Sequence, residues 1–165
     1  MLLLCSQYFP IRGVMAGNGE SHKQINFPII NVAEIPSPSF IRLAAEIERG
    51  LMYLASPYSS GGKASKRLAA KRAAATIDLT MKLLDAGIWT FSPIAYGVSF
   101  AGRGHKRGNK WWMRRDFEYF KHCSILGVHC LPGWENSSGV QKEIEWALIH
   151  NKKIYLLENR DDIKD

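Results

Sequence analysis

An apolar run, Ile125 to Cys130, is followed at once by a turn and then by an amphipathic helical pattern. This junction constrains the chain more than any other stretch. The run reads as a buried strand. Pro132-Gly133 makes the turn, Ser137-Ser138-Gly139 leads out of it, and Val140, Ile144, Ala147 and Leu148 share one helical face. Ser138 with Gln141 three residues later predicts a capping box. A helix that starts where a strand ends has its N-terminus at the carboxyl edge of a parallel sheet, where ligands bind. Its unpaired N–H groups suit an anion. Glu143 lies one turn inside this helix, a step from the apolar stripe. The helix dipole favours its ionised form, and an aimed, ionised carboxylate is a candidate nucleophile. The helical pattern by itself fits more readily a glutamate that only decorates the first turn.

Upstream, strand and helix signals alternate. Leu51–Ser56 reads as a short apolar strand, with Pro57 to Gly62 as its loop. Lys63–Ala86 reads as a long helix whose stripe of Ala70, Ala73, Ala74, Ile77, Met81 and Leu84 is the expected core face, with Gly87 as its stop. Ile88–Ser92 is a second strand, ended by Pro93, and a long basic, glycine-rich loop runs from Ala95 to about Asn109. Trp111–Lys121 reads as a helix and Ile154–Leu157 as the last strand. The alternation predicts an α/β fold with a mostly parallel sheet of roughly five strands. Residues 1–36, punctuated by Pro10, Gly13, Gly17, Gly19, Pro28 and Pro36, read as irregular chain, with a short helix over Pro38–Arg49. The expected division is therefore an irregular extension over 1–49 and a compact domain over 50–165. The extension is compatible with a lid, a packing arm or an upstream start.

The net charge of +7 arises entirely after position 50, where 18 basic residues face 11 acidic ones. Arg103, Lys106, Arg107, Lys110, Arg114 and Arg115 cluster with no acid between them. Such a cluster suits phosphates on a nucleotide or a nucleic acid, and equally a solvated loop. The cysteines, Cys5, Cys123 and Cys130, are odd in number and sparse, which favours a reducing, cytoplasmic setting over a disulfide framework. His122-Cys123 and His129-Cys130 lack ligand spacing, so no metal or other cofactor is expected. No apolar run approaches a membrane span, and Met1–Phe9 lacks the basic start and cleavage site of a signal peptide. Gly61-Gly62-Lys63 is not a Walker loop, because Pro57 and Ala64 stand where glycine and Ser/Thr are needed. Lys63, Lys66 and Arg67 at the helix start could still meet a phosphate.

Four segments together resemble the nucleoside 2-deoxyribosyltransferase-like superfamily. They are Y-L-A-S-P-Y (Tyr53–Tyr58), S-P-I (Ser92–Ile94), W-W-M-R-R-D (Trp111–Asp116) and S-S-G-V-Q-K-E-I-E-W-A (Ser137–Ala147). The resemblance spans about residues 50–158 and is nearest to a small phage and bacterial branch carrying L-P-G-W-E-x-S-x-G-V-x-x-E. It implies a flavodoxin-like three-layer fold and cleavage of an N-glycosidic bond without a cofactor. By position it makes Glu143 the nucleophile, Asp116 the second carboxylate and Tyr58 the aromatic that contacts sugar or base. Ser56, Ser92, Ser137, Ser138 and Gly139 become substrate contacts beside Lys63 and Arg67. On the residues alone, Asp116 pairing with Arg114 or Arg115 and Tyr58 as a packing residue remain open. Family members acting on free nucleosides usually carry an acid six residues before the nucleophile, whereas nucleoside 5′-monophosphate N-hydrolases carry Ser with Gly two residues on. This chain has Ser137 and Gly139, so a phosphorylated substrate is expected. It departs from the family at Ser124, where an Asp is common, and in its basic 101–110 loop.

Three readings stand beside one another, ahead of a fourth, hydrolysis of the same bond type in NAD, for which nothing specific to a dinucleotide is visible. The first is a nucleotide N-glycosidase. The second is a nucleoside deoxyribosyltransferase. The third is a nucleotide- or nucleic-acid-binding module with Glu143 idle, in which Trp111, Trp112, Trp134 and Trp146 stack bases rather than fill core or dimer contacts. The resemblance also implies a homo-oligomer, with Trp134 and the 95–110 loop as candidate interface elements. Partners are expected to be a small nucleotide or nucleoside, with nucleic acid possible through residues 103–115 and no membrane.

Overall fold

The computed structural model describes residues 27–33, 40, 43–45, 50–59, 64–100, 103 and 107–159. Lys63 and the double glycine before it, Lys106, Cys5 and most of the expected 38–49 helix lie outside the described residues. Five strands form one parallel sheet: β1 (Ile29–Asn31), β2 (Met52–Ala55), β3 (Thr90–Phe91), β4 (Ile125–His129) and β5 (Lys153–Glu158). Their spatial order is β1-β5-β4-β2-β3. Helices α1 (Lys66–Asp85), α2 (Pro93–Val98), α3 (Asn109–His122) and α4 (Ser138–Ile149) make the crossovers. The fold is the α/β, flavodoxin-like one. Counted from β2, the chain steps out to β3 and then returns across β2 to β4 and β5. The order thus reverses between β2 and β4, and their carboxyl ends open a crevice there.

The fifth place in the sheet is taken by β1, from upstream. Ile29 pairs with Leu156 and Asn31 with Glu158, and Phe40 and Leu43 are buried in the same core as Met52 and Leu157. Irregular chain was expected at 29–31. A strand of three residues behind Pro28 is too short for its periodicity to register.

Strand alternation sorts the core into two layers. Met52 and Leu54 face Leu79 and Leu83 of α1. Tyr53 and Ala55 face Phe120 of α3 and Val140, Ile144 and Ala147 of α4. The α1-side layer is tight at β4, where a Cβ on Gly127 would lie 2.7 Å from Met52 Sδ and 3.1 Å from Leu157 Cδ1. Glycine lets the side chains of β2 and β5 close over β4 there.

The orientation of α1 overturns the expected core face. Its buried residues are Arg72, Ala73, Thr76, Leu79, Thr80 and Leu83, whereas Ala70, Ala74, Ile77, Met81 and Leu84 are exposed. Polar side chains enter the interior because each is hydrogen-bonded. Thr80 Oγ1 donates to Thr76 O, and Thr76 Oγ1 donates to Arg72 O and bonds the Ser56 hydroxyl at 2.7 Å. Ser65 caps α1, accepting from Leu68 N–H at 3.1 Å. β3 is shorter than expected because Ser92 leaves the strand to cap α2, with Pro93 as its first residue. What was expected as the start of a loop is therefore α2. Among the described residues no helix is long and apolar enough to cross a membrane.

Candidate active site

A cavity of about 620 Å³ opens at the crevice between the ends of β2 and β4. That volume suits a small organic ligand. Tyr58 and Ser59 line it from the β2 loop, Ile94 and Gly97 from α2, Trp112, Met113 and Asp116 from α3, and Ser137, Ser138, Gly139 and Glu143 from the start of α4. Among the described residues, Arg107 is the basic one in its wall.

Glu143 reaches the cavity from the second turn of α4 and is only 6% exposed. The phenol of Tyr53 donates to its Oε1 at 2.7 Å. Tyr53 sits on β2 with its side chain toward α3 and α4. Its ring is held edge-on against Phe120 at 5.3 Å and tilted against Phe91 at 5.9 Å. Burial raises the carboxyl of Glu143 to about 8; the negative charge of Asp116 adds to the rise and the Tyr53 bond opposes it. The dipole argument from sequence predicted an ionised side chain. Desolvation of a buried carboxylate outweighs the half-charge of a helix end. The Tyr53 phenol is itself raised well above 10, first by burial and then by the Glu143 charge, so it remains a donor.

Asp116 lies past the middle of α3, turned inward and raised to about 6 by burial. Among the described residues no ion pair involves it; those present are Lys121–Glu118 and Lys142–Glu145. Arg115 instead lies 4.8 Å from the Trp111 ring centroid. The expected alternative, Asp116 paired with Arg114 or Arg115, is thereby overturned. α3 points the aspartate inward and the arginines outward.

The start of α4 differs from the expected capping box. The cap is Ser137, whose side chain makes no bond to the helix. Gln141 Nε2 donates to Glu135 O instead. Ser137 is buried in the cavity wall, with Ser138 and Gly139 beside it as the first helical residues. Their N–H groups belong to the unpaired first turn.

The remaining sequence candidates divide. Tyr58 lines the cavity half-buried. Ser56 also lines it, but its hydroxyl is engaged with Thr76. Ser92 stays outside the lining, because its hydroxyl accepts from Ala95 N–H as the cap of α2. Arg67 is exposed on α1, outside the lining. Trp134 is buried among Val140, Ile144 and Ala147, which removes it as an interface element. The large ring fills the corner under the β4 loop.

Two residues escaped the sequence reading. Tyr53 lay inside a quoted motif without a role, although strand alternation put it on the side of α4. Arg72 left no periodic signal. Its Nη1 donates to Tyr58 O at 3.2 Å and its Nη2 to Pro132 O at 2.8 Å. One buried guanidinium therefore ties together the loops after β2 and β4, which flank the crevice.

A family model described as a domain of unknown function, DUF1937, matches residues 50–159. No curated protein matches the chain. Among solved structures, that of a 2-deoxyribosyltransferase from the psychrotolerant bacterium Bacillus psychrosaccharolyticus aligns over 69% of this chain and 77% of its own, at 20% identity and a TM-score of 0.46.

Proposed function

The chain belongs to the DUF1937 family, and we propose that it cleaves the N-glycosidic bond of a nucleoside or deoxynucleoside 5′-monophosphate with Glu143 as nucleophile. The observation that carries this reading is the Tyr53–Glu143 bond, which aims a buried carboxylate into a cavity that Asp116 also lines. Ionised Glu143 attacks C1′ as the C1′–N bond breaks, and the base leaves with the bonding electrons and a proton from neutral Asp116; with the two carboxyls at about 8 and about 6, this reacting form is the minor of the two singly protonated ones. Water then attacks C1′, Asp116 takes its proton, and Glu143 leaves as carboxylate. This is the double displacement of a retaining glycosidase. The 5′-phosphate sits at Ser137 and the α4 N-terminus, where N–H groups and the hydroxyl donate to it and Arg107 adds charge. The motif resemblance supports the same reading. A deoxyribosyltransferase differs only in letting a second base take the place of water.

The protein works, on this reading, in the cytoplasm as a homo-oligomer; Cys123 and Cys130 are free thiols. The test is base release followed by chromatography over a panel of nucleosides and their 5′-monophosphates, with and without an acceptor base. Release from monophosphates by the wild type and none by Glu143→Gln supports the proposal. Equal turnover of nucleoside and nucleotide removes the phosphate site. No release from any member removes the enzyme.

One observation favours a second reading, a nucleic-acid-binding module. On the exposed side of α3, Trp111 lies between Arg107 and Arg115, at 5.4 and 4.8 Å from their guanidinium carbons, with Lys110 and Arg114 alongside. Such a stripe suits a single strand. A steep loss of oligonucleotide binding with added salt, in the absence of base release, would favour it.

A further inference from the structure

The outward face of α1 has an order of its own. Ala70, Ala74, Ile77, Met81 and Leu84 recur at intervals of four, three, four and three residues, all exposed. Met81 is 53% exposed, and Ile77 and Leu84 are each 37% exposed. That interval is the heptad repeat by which one helix packs along another. Trp89, just beyond the helix, is 70% exposed. Scattered apolar residues on a surface need no explanation, but a contiguous seam does.

We propose that this seam is a homodimer interface in which α1 packs antiparallel on α1 of a second copy, about a two-fold axis near Ile77. The sequence order along the helix selects both the partner and its direction. The small residues Ala70 and Ala74 occupy the first half, and the large Met81 and Leu84 the second. Antiparallel packing sets the alanines of each copy against the large side chains of the other, so bulk meets space along the whole seam. Parallel packing would set alanine on alanine and leave a gap at one end. The border charges make the same choice. Lys71, Asp78 and Asp85 follow one another at intervals of seven residues, all exposed. Antiparallel, Lys71 of each copy meets Asp85 of the other, at both ends. Parallel, the three would lie on opposite flanks of the pair, and no lysine would reach an aspartate of the other copy. In that register Asp78 meets Asp78 of the other copy at the axis, an unfavourable contact that Lys82 one turn on in each copy offsets. A two-fold axis makes every such contact occur twice. The seam lies in the α1 layer, across the sheet from Glu143, so it stands independently of the proposed reaction.

Sedimentation velocity on the full chain at micromolar concentration tests the seam. The wild type is expected to be a dimer and Met81→Glu a monomer with unchanged circular dichroism. Lys71→Glu and Asp85→Lys are each expected to weaken the dimer about 10-fold, and the double variant to regain most of that loss. Regain by the double variant cannot come from misfolding of either single one. A monomeric wild type overturns the proposal. So does a dimer that survives Met81→Glu, or two weakened single variants whose combination regains nothing.

Discussion

Tyr53 and Glu143, ninety residues apart in the chain, are joined by a 2.7 Å hydrogen bond between the phenol and Oε1. The phenol is the donor, and its bond favours the ionised carboxylate against a burial that opposes it. Removing the donor with Tyr53→Phe should push the Glu143 carboxyl further up. The falling limb of the pH–rate profile near 8 then moves to higher pH, the plateau below it drops, and kcat at pH 7 falls by about 10- to 100-fold. An unchanged profile would leave Tyr53 with packing as its only role.

Glu143→Gln should abolish base release while stabilising the fold in mild alkali. The sign follows from linkage. The folded carboxyl titrates near 8 and the free one near 4.5, so the folded state binds the extra proton between those values. Stability is full below about 4.5 and is lost as pH rises toward 8. Glutamine carries no titration and still accepts from Tyr53. The variant should therefore lose that slope and unfold at a higher temperature than wild type at pH 8, by on the order of 5 °C. Thermal scans at pH 5 and pH 8 give the comparison.

Asp116→Asn tests the second carboxylate. With groups near 6 and near 8 in one cavity, the wild type should hold a plateau of kcat/KM between those pH values and fall on both sides. The asparagine leaves one rising limb. That limb should lie below 8, because the neighbouring negative charge that raises Glu143 is gone. Activity should drop by about 100-fold or more for substrates with poor leaving bases and much less for activated ones.

Ser137→Asp tests the phosphate. A carboxylate in the cavity wall repels a 5′-phosphate and accepts from a 5′-hydroxyl. The ratio of kcat/KM for nucleotide over nucleoside should fall by about 100-fold. A ratio that does not move places the phosphate elsewhere.

Much of the architecture is legible in the sequence because it rests on local signals. The strand at Ile125, the turn at Pro132-Gly133 and the helix carrying Glu143 all announce themselves by periodicity and turn chemistry. What periodicity cannot express is a polar residue that buries because a distant partner satisfies it. Arg72, Thr76 and Thr80 read as solvent-facing, and so α1 was turned the wrong way. Its true inner face depends on carbonyls at Tyr58 and Pro132, supplied by other parts of the chain. The same limit hid the acid–base state of Glu143. Position in a helix is a sequence property, whereas desolvation comes from the layers that close over it.

β1 carries one consequence for handling the molecule. Cutting the chain back to residues 50–159 would strip β5 of its neighbour, leaving the amide of Leu156 and the carbonyl of Glu158 bare along a hydrophobic rim. Such a rim recruits strands from other molecules. The trimmed fragment would then self-associate edge to edge, by a route unrelated to any seam the intact protein uses.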